Sequence, residues 1–405
     1  GPVSMSANSF ATDEMSSVAY DIYSAIDCRV VTAQTTIECK TSPGIGSNHS
    51  WFLTRGDQPA ASASTFLTSY APPLIASVSG QSIRSASTRG GTQVIVAGSD
   101  LGNTASEVLV MYGPYEASNA DKLANLYTCT NVRVIVASKS LSCVTSEGTG
   151  AGHALIVFVD GQASNILFDQ LSYGPPVVTS FQGPGAFGAD TSGNQLVLID
   201  GTNFGKAGLA VSMIDQVKYG HNSNPLDDWY DATSSCTVLL SHTRIKCDTV
   251  PGYGKDLRWS LIIDGQMSTT STTNYAPPKV ANIFQEDGAT TITAASANGG
   301  ETMVLTGANF GPAGRVQIDR VTFGPQGLQY VAEDCVVTDQ STKMSCKTPP
   351  GIGSNLRAYA TIGGQSSAIS VSALSFAAPI VDDTSVQLIN TRGESIDFTG
   401  SNYGL

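Results

Sequence analysis

The chain has 405 residues, of which 13 % are charged and 41 % hydrophobic, and its formal net charge is −12 at pH 7. This length exceeds what one hydrophobic core usually supports, so several domains are expected, and the hydrophobic content excludes a disordered chain. The acidic balance argues against nucleic acid, whose binding needs a cationic surface, and the absence of any run of 18 apolar residues predicts no membrane-spanning helix.

The head segment, residues 1–73, is typical of the later part of a β-domain whose first strands are missing. It contains a pair of cysteines, then the glycine-rich loop Thr41-Ser-Pro-Gly-Ile-Gly-Ser-Asn48, and it ends at Tyr70-Ala-Pro-Pro73. The same order of markers returns further along the chain, which indicates an internal repeat.

Three full repeats follow, and we place them at 74–176, 177–278 and 279–379. Each ends in an aromatic residue followed by one or two prolines, as in Tyr173-Gly-Pro-Pro176. Proline fixes φ and restricts the residue before it, so these linkers predict semi-rigid connections.

Each repeat is predicted to be built of strands. Short apolar or β-branched runs such as Val94–Val96 and Met303–Leu305 precede a turn of the type Gly307-Ala-Asn-Phe-Gly311. Near the end of each repeat, Asp160-Gly161, Asp264-Gly265 or Gly363-Gly364 predicts a tight hairpin, because such turns need two residues with positive φ.

The eight cysteines form four close pairs, one in the head segment and one in each repeat: Cys28 and Cys39, Cys129 and Cys143, Cys236 and Cys247, Cys335 and Cys346. An even number at a repeating spacing predicts one disulfide per repeat and an oxidising compartment. Reduced, buried cysteine is the alternative. Zinc is disfavoured because the pairs lack the two-residue spacing of zinc knuckles.

Together these markers resemble the IPT/TIG domains, which are immunoglobulin-like folds of plexins, related receptors and some transcription factors. The proline-rich boundary, the Gly-x-Asn-Phe-Gly turn, the paired cysteines and the loop Thr348-Pro-Pro-Gly-Ile-Gly-Ser-Asn355 carry the resemblance. It implies an all-β chain of tandem Ig-like β-sandwiches. The first repeat departs from the pattern, since Gly98-Ser-Asp-Leu-Gly102 lacks the aromatic residue.

The tail segment, residues 380–405, begins a further repeat with a strand at 394–399 and the turn Gly400-Ser-Asn-Tyr-Gly404. Head and tail segments together are as long as one repeat. We therefore expect the tail of one molecule to complete the head of another by strand addition, which gives a head-to-tail homopolymer and an extracellular filament or surface appendage. The residues expected at this protomer interface are hydrophobic: Val386, Leu388, Ile396, Phe398 and Tyr403.

Two alternatives stay open. In the first, the 405 residues are part of a longer tandem-repeat adhesion or receptor ectodomain that binds protein partners. In the second, they are an accessory region of a carbohydrate-active enzyme. The sequence predicts no enzyme, since it has no Gly-x-Ser-x-Gly elbow, P-loop, His-Glu-x-x-His or dinucleotide fingerprint.

Two further sites are considered. Asn48-His-Ser50 is the sole Asn-x-Ser/Thr sequon and predicts a glycan at Asn48 if the protein is secreted. The acidic pairs Asp227-Asp228 and Asp382-Asp383 are candidate calcium ligands, although adjacent acids are more often simply solvated. No other cofactor is expected.

Overall fold

A computed structural model describes residues 3–8, 22–55, 58–61, 64–104, 106–114, 127–208, 213–221, 230–382, 391–393 and 395–404. The chain divides into two compact units, Gly1–Pro175 with Asp264–Gln266, and Pro176–Ile263 with Met267–Leu405. Within the described ranges the secondary structure is β, apart from one turn of 3-10 helix at Thr233–Ser235. No helix in these ranges is long and apolar enough to cross a membrane. The predicted all-β fold is confirmed.

The head segment contributes seven strands: β1 (Val3–Asn8), β2 (Ile22–Ser24), β3 (Ile26–Thr32), β4 (Thr36–Lys40), β5 (His49–Arg55), β6 (Gln58–Pro59) and β7 (Leu67–Thr68). One sheet has the order β2-β1-β5-β6, with β7 also paired to β5. The other sheet, within the described part of the head segment, consists of β3 and β4.

The first sandwich has nine strands: β8 (Leu74–Ser79), β9 (Gln93–Ser99), β10 (Val108–Gly113), β11 (Tyr127–Thr128), β12 (Thr130–Val136), β13 (Ser140–Val144), β14 (His153–Val159), β15 (Gln162–Ala163) and β16 (Leu167–Leu171). Its four-stranded sheet has the order β12-β13-β9-β8, and its five-stranded sheet the order β11-β10-β14-β15 with β16 on β14. The two inner faces bury Val94, Val96, Leu141 and Val157 between them.

The second sandwich also has nine strands: β17 (Val177–Gln182), β18 (Phe187–Ala189), β19 (Leu196–Thr202), β20 (Ile214–Gly220), β21 (Tyr230–Asp231), β22 (Thr237–Leu240), β23 (Arg244–Asp248), β24 (Leu257–Ile263) and β25 (Gln266–Tyr275). Its sheets have the orders β17-β19-β23-β22 and β18-β25-β24-β20-β21. Trp259 stacks on Tyr219 in its core, with ring centroids 4.3 Å apart.

The third sandwich repeats the arrangement of the first with nine strands: β26 (Lys279–Phe284), β27 (Thr302–Ala308), β28 (Ile318–Gly324), β29 (Tyr330–Val331), β30 (Glu333–Asp339), β31 (Lys343–Lys347), β32 (Leu356–Ile362), β33 (Gln365–Ser366) and β34 (Ala373–Leu374). Its sheets have the orders β26-β27-β31-β30 and β29-β28-β32-β33, with β34 on β32. The tail segment adds β35 (Ile380–Val381) and β36 (Gly400–Ser401), which form a two-stranded sheet.

The predicted hairpins have the backbone that their sequences require. At the two Asp-Gly turns φ is positive for both residues, at 48° and 76° for Asp160 and Gly161 and at 47° and 74° for Asp264 and Gly265. A side chain with a Cβ is strained in this region, whereas glycine is not, so Gly at the second position is favourable.

All four cysteine pairs form disulfides in the structure. Two of them join neighbouring strands of one sheet, β3 to β4 and β30 to β31, and in the other two the first cysteine lies directly before β12 or β22. In the three sandwiches the second cysteine of each pair is buried. Closing a loop of 11 or 14 residues contributes about 3 kcal/mol to stability in the chain-entropy account.

A pair of tyrosines closes the core of the first and second sandwiches. Tyr219 and Tyr275 are buried with their hydroxyl oxygens 2.6 Å apart, and Tyr112 and Tyr173 are paired in the same way at 2.7 Å. Burial raises the pKa of Tyr219 to about 12 and raises that of its three counterparts as well. The third sandwich has phenylalanine at both places, Phe323 and Phe376.

Candidate self-assembly interface

The tail segment has only the end of the first strand pair of a sandwich, since β35 and β36 contain two residues each. The strand predicted at 394–399 is wrong for the described residues 395–399, which form no strand because no neighbouring strand is paired with them. Ile380 pairs with Ser401 and Val381 with Gly400, just as Lys279 pairs with Ala308 and Val280 with Gly307 at the start of the third sandwich. In both places the strand after the linker therefore meets the glycine of the Gly-x-Asn-aromatic-Gly turn in the same register.

The turn that follows also has the same geometry. Asn402 and Asn309 have φ of 64° and 61°, and each side-chain Nδ2 donates to a linker carbonyl, of Ala378 and Pro277 respectively, at 3.2 Å. Asparagine tolerates positive φ better than other non-glycine residues, which accounts for its place in this turn. Local sequence is sufficient to form this motif in the tail.

The side chains before and within the two turns differ sharply in exposure. Ile396, Phe398 and Tyr403 are 43 %, 60 % and 44 % exposed. Their counterparts in the third sandwich, at the same distance from the turn glycine, are Met303, Leu305 and Phe310, each 0 % exposed. The tail therefore presents to solvent three hydrophobic side chains whose equivalents form a core elsewhere.

The structure describes three of the five predicted interface residues. Val386 and Leu388 lie outside the described residues, so their part in the interface stays a prediction. Ile380 and Val381 of β35 are also more than half exposed.

The head segment has the complementary deficiency. In the three sandwiches the strand that carries the second cysteine, namely β13, β23 or β31, has neighbours on both sides. Among the described residues, its counterpart β4 pairs only with β3. Ile37 and Cys39 on β4 are only half-buried, whereas the equivalent residues Met344 and Cys346 of the third sandwich are buried.

The outer face of the β3–β4 hairpin is charged and exposed. Arg29 Nη2 lies 2.8 Å from Glu38 Oε2, and Lys40 Nζ lies 2.9 Å from Asp27 Oδ2. Exposed ion pairs of this kind each contribute at most about 1 kcal/mol. The hairpin is therefore held mainly by its backbone pairing and its disulfide.

A side-chain contact to the preceding repeat recurs in each unit. Directly after each tight hairpin turn stands a glutamine: Gln162, Gln266 and Gln365. Within the first unit, the Nε2 atoms of Gln162 and Gln266 donate to the carbonyl oxygens of Tyr70 and Tyr173 at 3.1 and 3.0 Å. Within the second unit, Gln365 Nε2 donates to the Tyr275 carbonyl at 2.8 Å.

Sequence reasoning identified the hairpin turns but missed these glutamines and the β4 residues. The available signal was the glutamine that follows every such turn. Gln58 occupies the same register position in the head segment, because Arg55 pairs with Gln58 as Val159 pairs with Gln162.

The tail turn also approaches the third sandwich closely. A Cβ added at Gly404 would lie 2.5 Å from Ile352 Cγ2, and one added at Gly311 would lie 3.1 Å from Tyr253 Cβ. Tyr253 and Ile352 occupy the same place in their glycine-rich loops. Tyr253 packs against the core of the third sandwich, whereas Ile352 is 49 % exposed.

The other predicted sites are placed but not tested. Asn48 is exposed with φ of 61°, while Ser50, the third residue of its sequon, is buried. Asp382 is exposed, and Asp227, Asp228 and Asp383 lie outside the described residues. In the part of the chain that the structure describes, no three or more His, Cys, Asp or Glu residues are grouped so as to hold a metal ion.

The second unit also contains an open groove of about 1590 Å³. Its walls mix the aromatic rings of Tyr230 and Tyr253 with charged side chains of both signs, including Lys255, Asp256 and Arg315. This mixture gives no preference for one class of ligand.

The sequence model of the IPT/TIG domain matches the chain twice, at residues 73–173 and 289–378. Among curated proteins, no sequence matches the chain.

Three of the solved structures with some similarity to this chain are described here. One is a crystal structure with a xylogluco-oligosaccharide, at 13 % identity and a TM-score of 0.30 over 75 % of this chain and 60 % of that one. Another is SGBP-B from a xyloglucan utilization locus of Bacteroides uniformis, at 12 % identity and 0.21 over 74 % and 99 %. The third is the FN1-FN3 region of chicken CNTN1, at 8 % identity and 0.21 over 76 % and 99 %. At such TM-scores these proteins identify no function for the chain.

Proposed function

We propose that this chain, two segments of which match the IPT/TIG domain, is an extracellular structural protein that assembles head to tail into a filament or surface appendage. In this assembly the tail of one copy completes the head of the next as a composite sandwich. The role is mechanical and not catalytic. Four disulfides and the acidic, sparsely charged composition are in keeping with an extracellular location.

One observation carries the proposal: Ile396, Phe398 and Tyr403 are exposed in the tail, although their equivalents are fully buried in the third sandwich. Fully burying each such side chain is favourable by about 1.5–3 kcal/mol before the costs of association. The receiving surface has the right composition, since the half-buried Ile37 and Cys39 of β4 match residues that contact these positions in complete sandwiches.

The numbers of strands in the small sheets of the head and tail are also complementary. Each complete sandwich has one four-stranded sheet, whereas the head has β3-β4 and the tail has β35-β36. Joining these two pairs gives the missing four-stranded sheet with both hydrophobic faces turned toward the five-stranded sheet of the head. Unpaired strand edges recruit further strands, so the unassembled edges are a driving force for the reaction.

Electron microscopy of the purified chain tests the proposal directly. We expect filaments for the wild type and none for Phe398→Asp, which places a charge in the composite core. Val371→Asp is the matched control, because Val371 is 88 % exposed in the third sandwich and should tolerate the same change. Filaments of Phe398→Asp that equal those of the wild type would overturn the mechanism.

The alternative is a longer tandem-repeat adhesion or receptor ectodomain in which the tail continues into its own sandwich. It is favoured by the approach of Gly404 to Ile352, which needs no second molecule. The intact natural protein, run under denaturing and reducing conditions, separates the two. A species of the size of the 405-residue chain favours assembly, and a much larger one favours the ectodomain.

The glycan at Asn48 remains part of the proposal. A secreted preparation should lose mass on treatment with an N-glycosidase, and Asn48→Gln should remove that loss. Unchanged mass of the wild type under the same treatment would contradict it.

A further inference from the structure

We infer that the tail of one copy pairs antiparallel with β4 of a second copy in one defined register, with Ile37 opposite Phe398, Glu38 opposite Asp397 and Cys39 opposite Ile396. This inference rests on the proposed function and specifies its interface. It also places Thr36 opposite Thr399 and Lys40 opposite Ser395.

The three complete sandwiches use one register at this place. The second cysteine of each disulfide always lies opposite a core residue of the strand before the turn: Cys143 opposite Val94, Cys247 opposite Val197, Cys346 opposite Met303. In each case that core residue lies four positions before the turn glycine, Gly98, Gly201 or Gly307.

The head and tail contain both reference points. Cys39 is the second cysteine of the head, and Gly400 is the turn glycine of the tail, already paired with Val381 as Gly307 is with Val280. Counting four positions back from Gly400 gives Ile396, which places Ile396 opposite Cys39. The remaining pairs follow from the antiparallel arrangement.

This register turns the hydrophobic side chains inward. Side chains alternate along a strand, so Ile37, Cys39, Ile396 and Phe398 share the core face while Glu38 and Asp397 share the outer face. A slip of one residue would place Asp397 in the core, which is strongly unfavourable. A slip of two residues would preserve the faces, so charge must distinguish it.

On the outer face, Glu38 and Asp397 place two carboxylates side by side across the interface between β4 and the tail. Glu38 is paired on its other side with Arg29, at 2.8 Å, which offsets part of the repulsion. After a slip of two residues, Asp397 would face Lys40 or Thr36 instead. Like charges directly opposite each other weaken strand pairing, and opposite charges strengthen it.

Charge reversal therefore gives results of different sign for different registers. In the inferred register Asp397→Lys places a lysine opposite Glu38, and we expect the critical concentration for filament formation to fall about fivefold at low salt. The gain should shrink as salt is added. An unchanged or raised critical concentration would overturn the register, because it would place Asp397 opposite Thr36 or Lys40.

Cysteine cross-linking gives an independent measure. We expect Thr36→Cys with Thr399→Cys to yield a ladder of covalent multimers on a non-reducing denaturing gel, at least tenfold more than Thr36→Cys with Asp397→Cys. The second pair is the matched control, since it reports a two-residue slip on the same face. Equal yields, or a larger yield from the control, would overturn the register.

Failure of the register is distinguishable from failure of the proposed function. If filaments form and the cross-links follow another pairing, the register alone is wrong. If the wild-type chain forms no filaments, the proposed function fails before the cross-link is measured.

Discussion

The third sandwich and the tail contain the same turn and the same two-residue pairing beside it, in two different surroundings. In the sandwich, β26 and β27 lie against a second sheet, and Met303 and Leu305 are buried. In the tail, β35 and β36 have the same register and the same turn, yet Ile396 and Phe398 are exposed. The comparison shows that the turn and the pairing next to it form in both places, whereas burial requires a second sheet, and no described strand covers Ile396 and Phe398.

The largest difference in stability is expected when a large hydrophobic side chain is replaced by alanine in the third sandwich and, separately, in the tail. Leu305→Ala should lower the free energy of unfolding of the third sandwich by about 2–5 kcal/mol, because it leaves a cavity in a buried core. Phe398→Ala should change the free energy of unfolding of the unassembled chain by less than about 0.5 kcal/mol. Hydrogen exchange of β27 and β31 in urea measures both variants.

An equal loss in the two variants would contradict the comparison. It would mean that Phe398 already contributes to a core of its own chain. The same Phe398→Ala protein should assemble poorly, which would support a role for this exposed side chain in the interface between copies.

Removal of a disulfide should have different effects in the four-stranded sheet of the third sandwich and in the two-stranded sheet of the head. Replacing Cys335 and Cys346 by serine should cost the third sandwich about 2–4 kcal/mol, since the cross-link no longer restricts the unfolded chain. Replacing Cys28 and Cys39 should instead open only the β3–β4 hairpin in the unassembled chain. Limited proteolysis should then cut within residues 26–40 while the third sandwich stays resistant.

Assembly should protect that hairpin if the tail covers β4. The proteolysis of the Cys28→Ser, Cys39→Ser variant in filaments compared with monomers is therefore the control. Equal rates of cleavage in the two forms would argue against coverage of the hairpin.

At alkaline pH the second sandwich should lose stability and the third should not, so the third sandwich serves as the reference. Burial raises the pKa of Tyr219 to about 12, whereas an unfolded tyrosine ionises near 10. Stability is therefore complete below pH 10 and is lost as pH rises from 10 to about 12, by about 2–3 kcal/mol in the second sandwich. The third sandwich, with Phe323 and Phe376, should show no loss from this source.

Urea unfolding at pH 9 and pH 11, followed by tryptophan fluorescence of Trp259, should detect about half of this loss, because pH 11 lies midway between the unfolded and folded pKa values. The Tyr219→Phe, Tyr275→Phe double variant is the control and should flatten the pH dependence. A similar pH dependence in wild type and control would contradict the assignment to this tyrosine pair.

The smallest effect concerns the charges on the outer face of the head hairpin. Arg29→Ala should change the stability of the unassembled chain by less than about 1 kcal/mol, because its pair with Glu38 is solvent-exposed. In filaments the same change should be larger, since Glu38 then faces Asp397 without its cation. Thermal melts of monomer and filament at low and high salt compare the two.

Much of this architecture could be predicted from repeated local markers. The glycine turns, the Asp-Gly hairpins and the close cysteine pairs involve residues near each other in sequence, and backbone requirements such as positive φ limit the choice of residue. Even the departure in the first repeat has little consequence, because Leu101 is as fully buried as Phe310 at the equivalent position.

Contacts between distant residues could not be predicted in this way. Gln162 reaches a carbonyl 92 residues earlier, and the hydroxyl pair of Tyr219 and Tyr275 joins strands 56 residues apart. Nothing in the neighbourhood of either residue specifies its partner. For the proposed interface, the pattern predicted the hydrophobic residues of the tail but not Ile37 or Cys39, whose proposed role depends on which strand of β3–β4 is left open.

The glutamine contacts described above have an implication for how such chains are lengthened. Their acceptors are main-chain carbonyls of Tyr70, Tyr173 and Tyr275, so the bond does not depend on which side chain stands at that place. Phe376 offers the same kind of carbonyl without a phenolic hydroxyl. A repeat could therefore be duplicated, deleted or exchanged for another by recombination or engineering, and each new neighbour would still find an acceptor for its amide.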